Sequence, residues 1–232
     1  TLAATTPVSA IGSTTATSGG NITYNGGATV TVSGVVWSTT STPTISDSKT
    51  TDGVANGTYT STITGLNPGT LYYVRSFATN SVGTVYGTET SFTTIAIAPT
   101  LTTTAASSIT KYAASAGGTI TSNGGSVITA SGICWSTTAT PTISDSKTTD
   151  GTTSGTFTSS ITGLTAGTVY YVRAYATNAI GTSYGANESF TTLSTPVAQT
   201  SVLIGTQRWT DKNLNVSTYR NGEAITYAAN AT

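Results

Sequence analysis

The densest set of groups able to do chemistry is an acidic loop that occurs twice, Asp47-Ser48-Lys49-Thr50-Thr51-Asp52-Gly53 and its repeat from Asp145 to Gly151. Carboxylates among hydroxyl and carbonyl oxygens are hard donors of the kind that hold Ca²⁺. Asp47, Asp52, Asp145 and Asp150 are therefore the candidates for a metal site. Against that reading, Lys49 stands between the two carboxylates, no Glu closes the set, and Asp and Gly are ordinary turn formers. The balance favours turns, and no cofactor is expected. Cys134 is the single cysteine and the chain has no His, so a thiolate nucleophile would lack its base. A glycosidase needs two carboxylates facing each other across a cleft, yet Glu89 of the first copy becomes Asn187 in the second. The segment reads as non-enzymatic.

The aromatic residues are the other candidates. If the run at 70–79 is a strand, alternation puts Tyr72 and Val74 on one face and Tyr73, Arg75 and Phe77 on the other. In the second copy the latter set is Tyr171, Arg173 and Tyr175. One reading is a flat stacking platform for a glycan or a neighbouring chain. The other is cross-strand packing, with Arg lying over aromatic rings. The second is favoured, because single exposed aromatic residues are ordinary. Trp37 and Trp135 are assigned to the core, which places Val36 and Cys134 on the same outward face as the tyrosines.

What positions these residues is an internal repeat. PTISDSKTTDG at 43–53 returns unchanged at 141–151, Trp37-Ser38-Thr39-Thr40 as Trp135-Ser136-Thr137-Thr138, and Tyr72-Tyr73-Val74-Arg75 as Tyr170-Tyr171-Val172-Arg173. Each offset is 98, and 42 of 61 positions agree when 34–94 is laid on 132–192. A unit of about 100 residues has the size of one sandwich domain and is too long for a solenoid repeat. In the first copy, short alternating runs predict strands near 3–11, 18–24, 29–38, 44–51, 57–64, 70–79 and 84–93. Turns are expected at Asn25-Gly26-Gly27, at Gly65–Gly69 and at Asn80–Gly83. No apolar 3.6-residue period is long enough for a helix. The expected fold is all-β: two tandem seven-stranded antiparallel sandwiches and a partial C-terminal module.

Composition narrows the function further. Of 232 residues, 58 are Thr and 29 are Ser, and only 7% are charged, with eight positive against eight negative. Without positive excess no nucleic-acid groove is expected, and no apolar run reaches the ~20 residues of a membrane helix. A Thr-rich, charge-poor β chain suits a secreted or surface protein. Asn-x-Ser/Thr occurs at Asn21, Asn56, Asn187, Asn215 and Asn230, which fixes no site in a chain so rich in Thr.

The run Leu66-x-Pro68-Gly69-Thr70-x-Tyr72-x-Val74-Arg75-x-x-Ala78-x-Asn80-x-x-Gly83 resembles the E–F corner and F strand of fibronectin type III domains, and 164–181 repeats it with Ala166 in place of Pro. The resemblance implies that Tyr72 and Tyr170 are tyrosine-corner residues whose hydroxyls bond back to upstream main chain. The phrase SGVVWSTTSTPTISDS around Trp37 resembles a variant found in surface proteins of the Bacteroidetes. From Val202 to Ile225 the sequence resembles the opening of the Fibrobacter succinogenes major paralogous domain, a surface and lipoprotein module.

The expected domains are 1–95, 99–193 and a truncated module at 200–232. Pro99 and Pro196 restrict the two linkers, so the copies should stand end to end as a semi-rigid rod. The expected role is a non-catalytic structural spacer of an extracellular bacterial surface or adhesin protein. Two alternatives remain: a subunit of an extracellular filament that pairs strands with itself, and a glycan-binding accessory module of a secreted polysaccharide-degrading system.

Overall fold

The structure, a computed structural model, describes residues 2–53, 56–195, 201–204 and 207–210. In the first copy the strands are β1 (Leu2–Ser9), β2 (Ala16–Ile22), β3 (Val32–Ser38), β4 (Ser48–Lys49), β5 (Gly57–Ile63), β6 (Leu71–Thr79), β7 (Thr84–Tyr86) and β8 (Thr90–Thr93). One sheet has the order β1-β2-β5 and the facing sheet β4-β3-β6-β7, with β8 also on β6. Every pairing in both is antiparallel.

The second copy repeats this with β9 (Thr100–Ser107), β10 (Ala113–Ser122), β11 (Ala130–Ser136), β12 (Ser146–Lys147), β13 (Gly155–Thr162), β14 (Val169–Thr177), β15 (Thr182–Tyr184) and β16 (Glu188–Thr191), as sheets β9-β10-β13 and β12-β11-β14-β15 with β16 on β14. Residues up to Leu193 form one compact unit and those from Ser194 another. In the latter, β17 (Ser201–Ile204) and β18 (Gln207–Thr210) form a hairpin. The rest of the module expected at 200–232 lies outside the described residues. No helix among the described residues is long and apolar enough to cross a membrane.

Period-two alternation builds each core. Val35, Ile63, Tyr72, Val74 and Phe92 pack together between the sheets of the first copy, and Ile133, Ile161, Tyr170, Val172 and Phe190 in the second. Two strand expectations are corrected. The run 44–51 pairs as a strand only at Ser48–Lys49, because the four residues Thr44 to Asp47 close a turn: Asp47 N donates to Thr44 O, and the Asp47 carboxylate accepts from Thr44 N. The run 84–93 divides at Gly87. Phe77 pairs with Tyr86 but Val74 with Thr90, so three residues face two on β6 and the strand carries a bulge.

A bulge strands main-chain groups, and a threonine replaces the missing partner. Thr5 Oγ1 accepts from Ser76 N at 2.9 Å, and Thr103 Oγ1 from Ala174 N at 3.0 Å. Thr50 Oγ1 likewise accepts from Val35 N at 2.9 Å, and Thr148 Oγ1 from Ile133 N at 3.0 Å. Part of the Thr content thus satisfies buried main chain where the ladders are interrupted.

The two copies meet through main chain. Ile97 N donates to Gly124 O at 2.8 Å, and Asn178 Nδ2 donates to Ile97 O at 2.8 Å and to Asn123 O at 2.9 Å. A Cβ on Gly69 would stand 2.3 Å from Gly125 O, and one on Gly125 would stand 2.2 Å from Pro68 O. The Gly65–Gly69 turn of one copy therefore lies against the Asn123-Gly124-Gly125 turn of the next.

Candidate functional site

The outward face of the β3–β6 sheet carries the candidate aromatic residues, and it is covered. Tyr73 and Arg75 are half-buried, but Phe77 and its counterpart Tyr175 are buried at 2% and 1% exposure. Neither belongs to an open platform, which agrees with the favoured packing reading and not with the stacking one. The reason lies on the neighbouring strand. Gly34 pairs with Phe77, and the Phe77 ring edge comes to 3.0 Å from where a Gly34 Cβ would stand. The missing side chain lets the ring lie flat on the sheet. In the second copy the Tyr175 hydroxyl reaches past the corresponding Gly132 and donates to Thr148 O at 2.7 Å.

Val36 and Cys134 also face outward, yet both are wholly buried. The loops that follow β3 and β11 fold back over them: Pro43 and Pro141 are fully buried, and Cys134 Sγ lies 3.4 Å from Pro141 O. Burial pushes the Cys134 thiol up to about 11, against a smaller opposing pull from Arg173. A thiol held neutral in this way is a small apolar side chain. Trp37 and Trp135 face the core side, with less cover than a central core residue has. They are half-buried and pack against the margin of their cores, since they lie at the strand ends where the sandwich opens.

Four side chains strap each loop down. Ile45 N donates to Tyr86 Oη at 3.0 Å, and Arg75 lies 4.6 Å over the Tyr86 ring while its Nε donates to Gly87 O. Thr42 N donates to Glu89 Oε2, and Lys49 Nζ donates to Ile45 O at 2.7 Å. In the second copy Tyr184, Arg173, Asn187 and Lys147 make the same contacts. Glu89 and Asn187 differ in charge but share what the strap uses, a side-chain oxygen that accepts from the loop. Sequence reasoning missed Tyr86 and Tyr184 and weighed Glu89 and Asn187 only for acid chemistry and glycosylation; the signal for the strap was that Tyr86 and Pro43 recur at the same offset.

The four aspartates serve the same loops. Asp47 and Asp145 accept from Thr44 N and Thr142 N, both at 2.8 Å. Asp52 accepts from the hydroxyls of Thr50 and Ser61, and Asp150 from those of Thr148 and Ser159. These bonds tie the acidic loop to β5 and β13. No group of three or more His, Cys, Asp or Glu able to hold a metal occurs among the described residues.

At the corner before β6, Asn67 N donates to Tyr72 Oη at 3.0 Å, and Thr165 N to Tyr170 Oη at 3.1 Å. The rings stack on Phe92 and Phe190, each at 5.9 Å between centroids. Tyr59 is the remaining buried phenol among the described residues. It donates to Gly34 O at 2.7 Å, with Phe77 O at 3.2 Å, and burial pushes it up to about 12.

No family model matches the chain, and no curated protein matches it. Among solved structures it is similar to the FN1-FN3 domains of chicken CNTN1, with a TM-score of 0.50 and 12% identity, covering 88% of this chain and 71% of that one. The likeness is one of fold. The chain is all-β, two tandem antiparallel sandwiches made of four sheets, and they resemble fibronectin type III domains.

Proposed function

We propose that this segment is a non-catalytic spacer of an extracellular bacterial surface or secreted protein. The observation that carries this reading is the joint between the copies, where the linker residue Ile97 is held by main-chain and side-chain bonds from the second sandwich. A joint fixed in this way transmits force and sets distance, whereas a free linker does neither. The side chains that looked able to do chemistry are used in holding loops, which agrees with a supporting role. The likeness of the Trp37 phrase and of the C-terminal residues to bacterial surface proteins supports an exported setting.

Small-angle scattering on the full chain tests the reading. An elongated monomer is the expected result. A particle in which the copies collapse side by side, or a filament, overturns it. The glycan reading is tested alongside by Tyr73→Ala and Arg75→Ala in polysaccharide pull-downs; the spacer reading expects no binding to lose.

A further inference from the structure

The glycine turn and the asparagine of the second sandwich that receive the first recur on the first sandwich itself, with Tyr24 where the second copy has Ser122. Gly26 and Gly27 have φ of 72° and 82°, against 69° and 78° at Gly124 and Gly125. Asn80 is aimed as Asn178 is: its Nδ2 donates to Asn25 O at 2.8 Å, and its Oδ1 accepts from Val82 N at 2.9 Å and Gly83 N at 3.2 Å. The Asn178 counterparts are Asn123 O, Ile180 N and Gly181 N, at 2.9, 2.9 and 3.1 Å.

The occupancy differs. Asn178 spends a further bond on Ile97 O and is 4% exposed, while Asn80 is half-buried. Gly124 is buried and Gly26 exposed. A Cβ on Gly124 would stand 2.0 Å from Ile97 O, but one on Gly26 meets no described atom nearer than Asn80 Nδ2 at 3.7 Å. A cavity of about 320 Å³ opens at this pole, lined by Ile22, Val30, Asn80 and Val82 among others.

We infer that the pole of the first sandwich formed by Asn25-Gly26-Gly27 and Asn80 is a docking surface for another sandwich of this repeat, joined ahead of β1 as the first is joined ahead of β9. The arriving sandwich presents two things. Its linker offers an N–H to Gly26 O and a carbonyl to Asn80 Nδ2, and its Gly69-type turn lies against Gly27. The equivalence of this surface to the one that receives the first copy names the occupant. A positive φ alone would admit Asn; the second copy shows that the missing Cβ at Gly124 also makes room for the neighbour's main chain. The inference rests on the fixed joint that supports the spacer reading.

The test places a copy of residues 1–98 directly before Thr1 of the full chain and follows amide hydrogen exchange by NMR. The expected result is that the Ile97 amide of the added copy is protected as the original Ile97 amide is. Gly26→Asn, which keeps the positive φ but adds a Cβ, should cut that protection about tenfold while the original Ile97 stays protected. Free exchange of the added Ile97 beside a protected original overturns the inference and leaves the spacer reading standing. Free exchange at both overturns both. Protection that ignores Gly26→Asn places the contact elsewhere and overturns the inference alone.

Discussion

The Tyr86 ring carries the Arg75 guanidinium on its face at 4.6 Å, and its hydroxyl takes the Ile45 amide at 3.0 Å. One side chain therefore joins the outward face of the sheet to the loop that covers it. Tyr184 does the same with Arg173 and Ile143, and there the loop covers the chain's single thiol. Cys134 thus reports on the strap. Tyr184→Phe removes one hydrogen bond, worth about 1 kcal/mol, and should raise the rate of Cys134 alkylation roughly fivefold. Tyr184→Ala also removes the ring under Arg173 and should raise it more. Because burial holds the thiol up to about 11, the wild-type rate should keep climbing with pH beyond the range of a free thiol. Mass spectrometry of the alkylated chain reads both effects. A Tyr184→Ala chain with wild-type reactivity would remove the strap from this account.

The corner bonds make a second prediction. Tyr72→Phe keeps the ring stacked on Phe92 but leaves Asn67 N without its acceptor. The expected loss is about 1 kcal/mol, and more if the amide is left dry. Tyr170→Phe should cost about the same, through Thr165 N. Tyr73→Phe, on the half-buried outer face, serves as the comparison and should change stability little. Urea unfolding of the three variants reads the difference.

Threonine content gives a third. Thr50→Val is close to isosteric, but it leaves Val35 N without an acceptor and takes from Asp52 one of its two hydroxyl donors, Ser61 being the other. A buried unsatisfied amide costs about 1–3 kcal/mol. Thr60→Val, at an exposed position of β5, should stay within about 0.5 kcal/mol of wild type. Equal effects at the two sites would show that threonine here serves strand propensity alone.

The elements legible in the sequence are those set by local chemistry. Period-two alternation marked β2, β3, β5 and β6, and the glycine turns at 26–27 and 69 fell where positive φ was needed. The offset of 98 made the second copy readable from the first. What stayed hidden depends on residues far apart. Thr42 reaches Glu89 across 47 positions and Ile45 reaches Tyr86 across 41, and a loop without a period carries no sign of such anchors. Phe77 reads as outward by alternation, and it is; its burial is decided by a glycine on the paired strand, which alternation does not see. Trp37 reads as core because it is large and apolar, but a strand end gives only partial cover.

Tyr59 makes a prediction with a sign that can be worked out. Its neutral phenol donates to Gly34 O inside the first sandwich, and the second copy has Phe157 at that position. Burial pushes the folded-state value up to about 12 from 10.0. Below pH 10 the phenol is protonated whether the chain is folded or unfolded, so the bond counts in full. Between pH 10 and 12 only the unfolded chain releases its proton, so stability falls as pH rises through that window. Tyr59→Phe should therefore be about 1 kcal/mol less stable than wild type at pH 8, and the gap should close or reverse by pH 11. The difference between the two chains isolates Tyr59. Denaturant unfolding at pH 8 and pH 11 measures it, and a gap unchanged at pH 11 would mean that the Tyr59 phenol titrates in the folded chain as it does in the unfolded one.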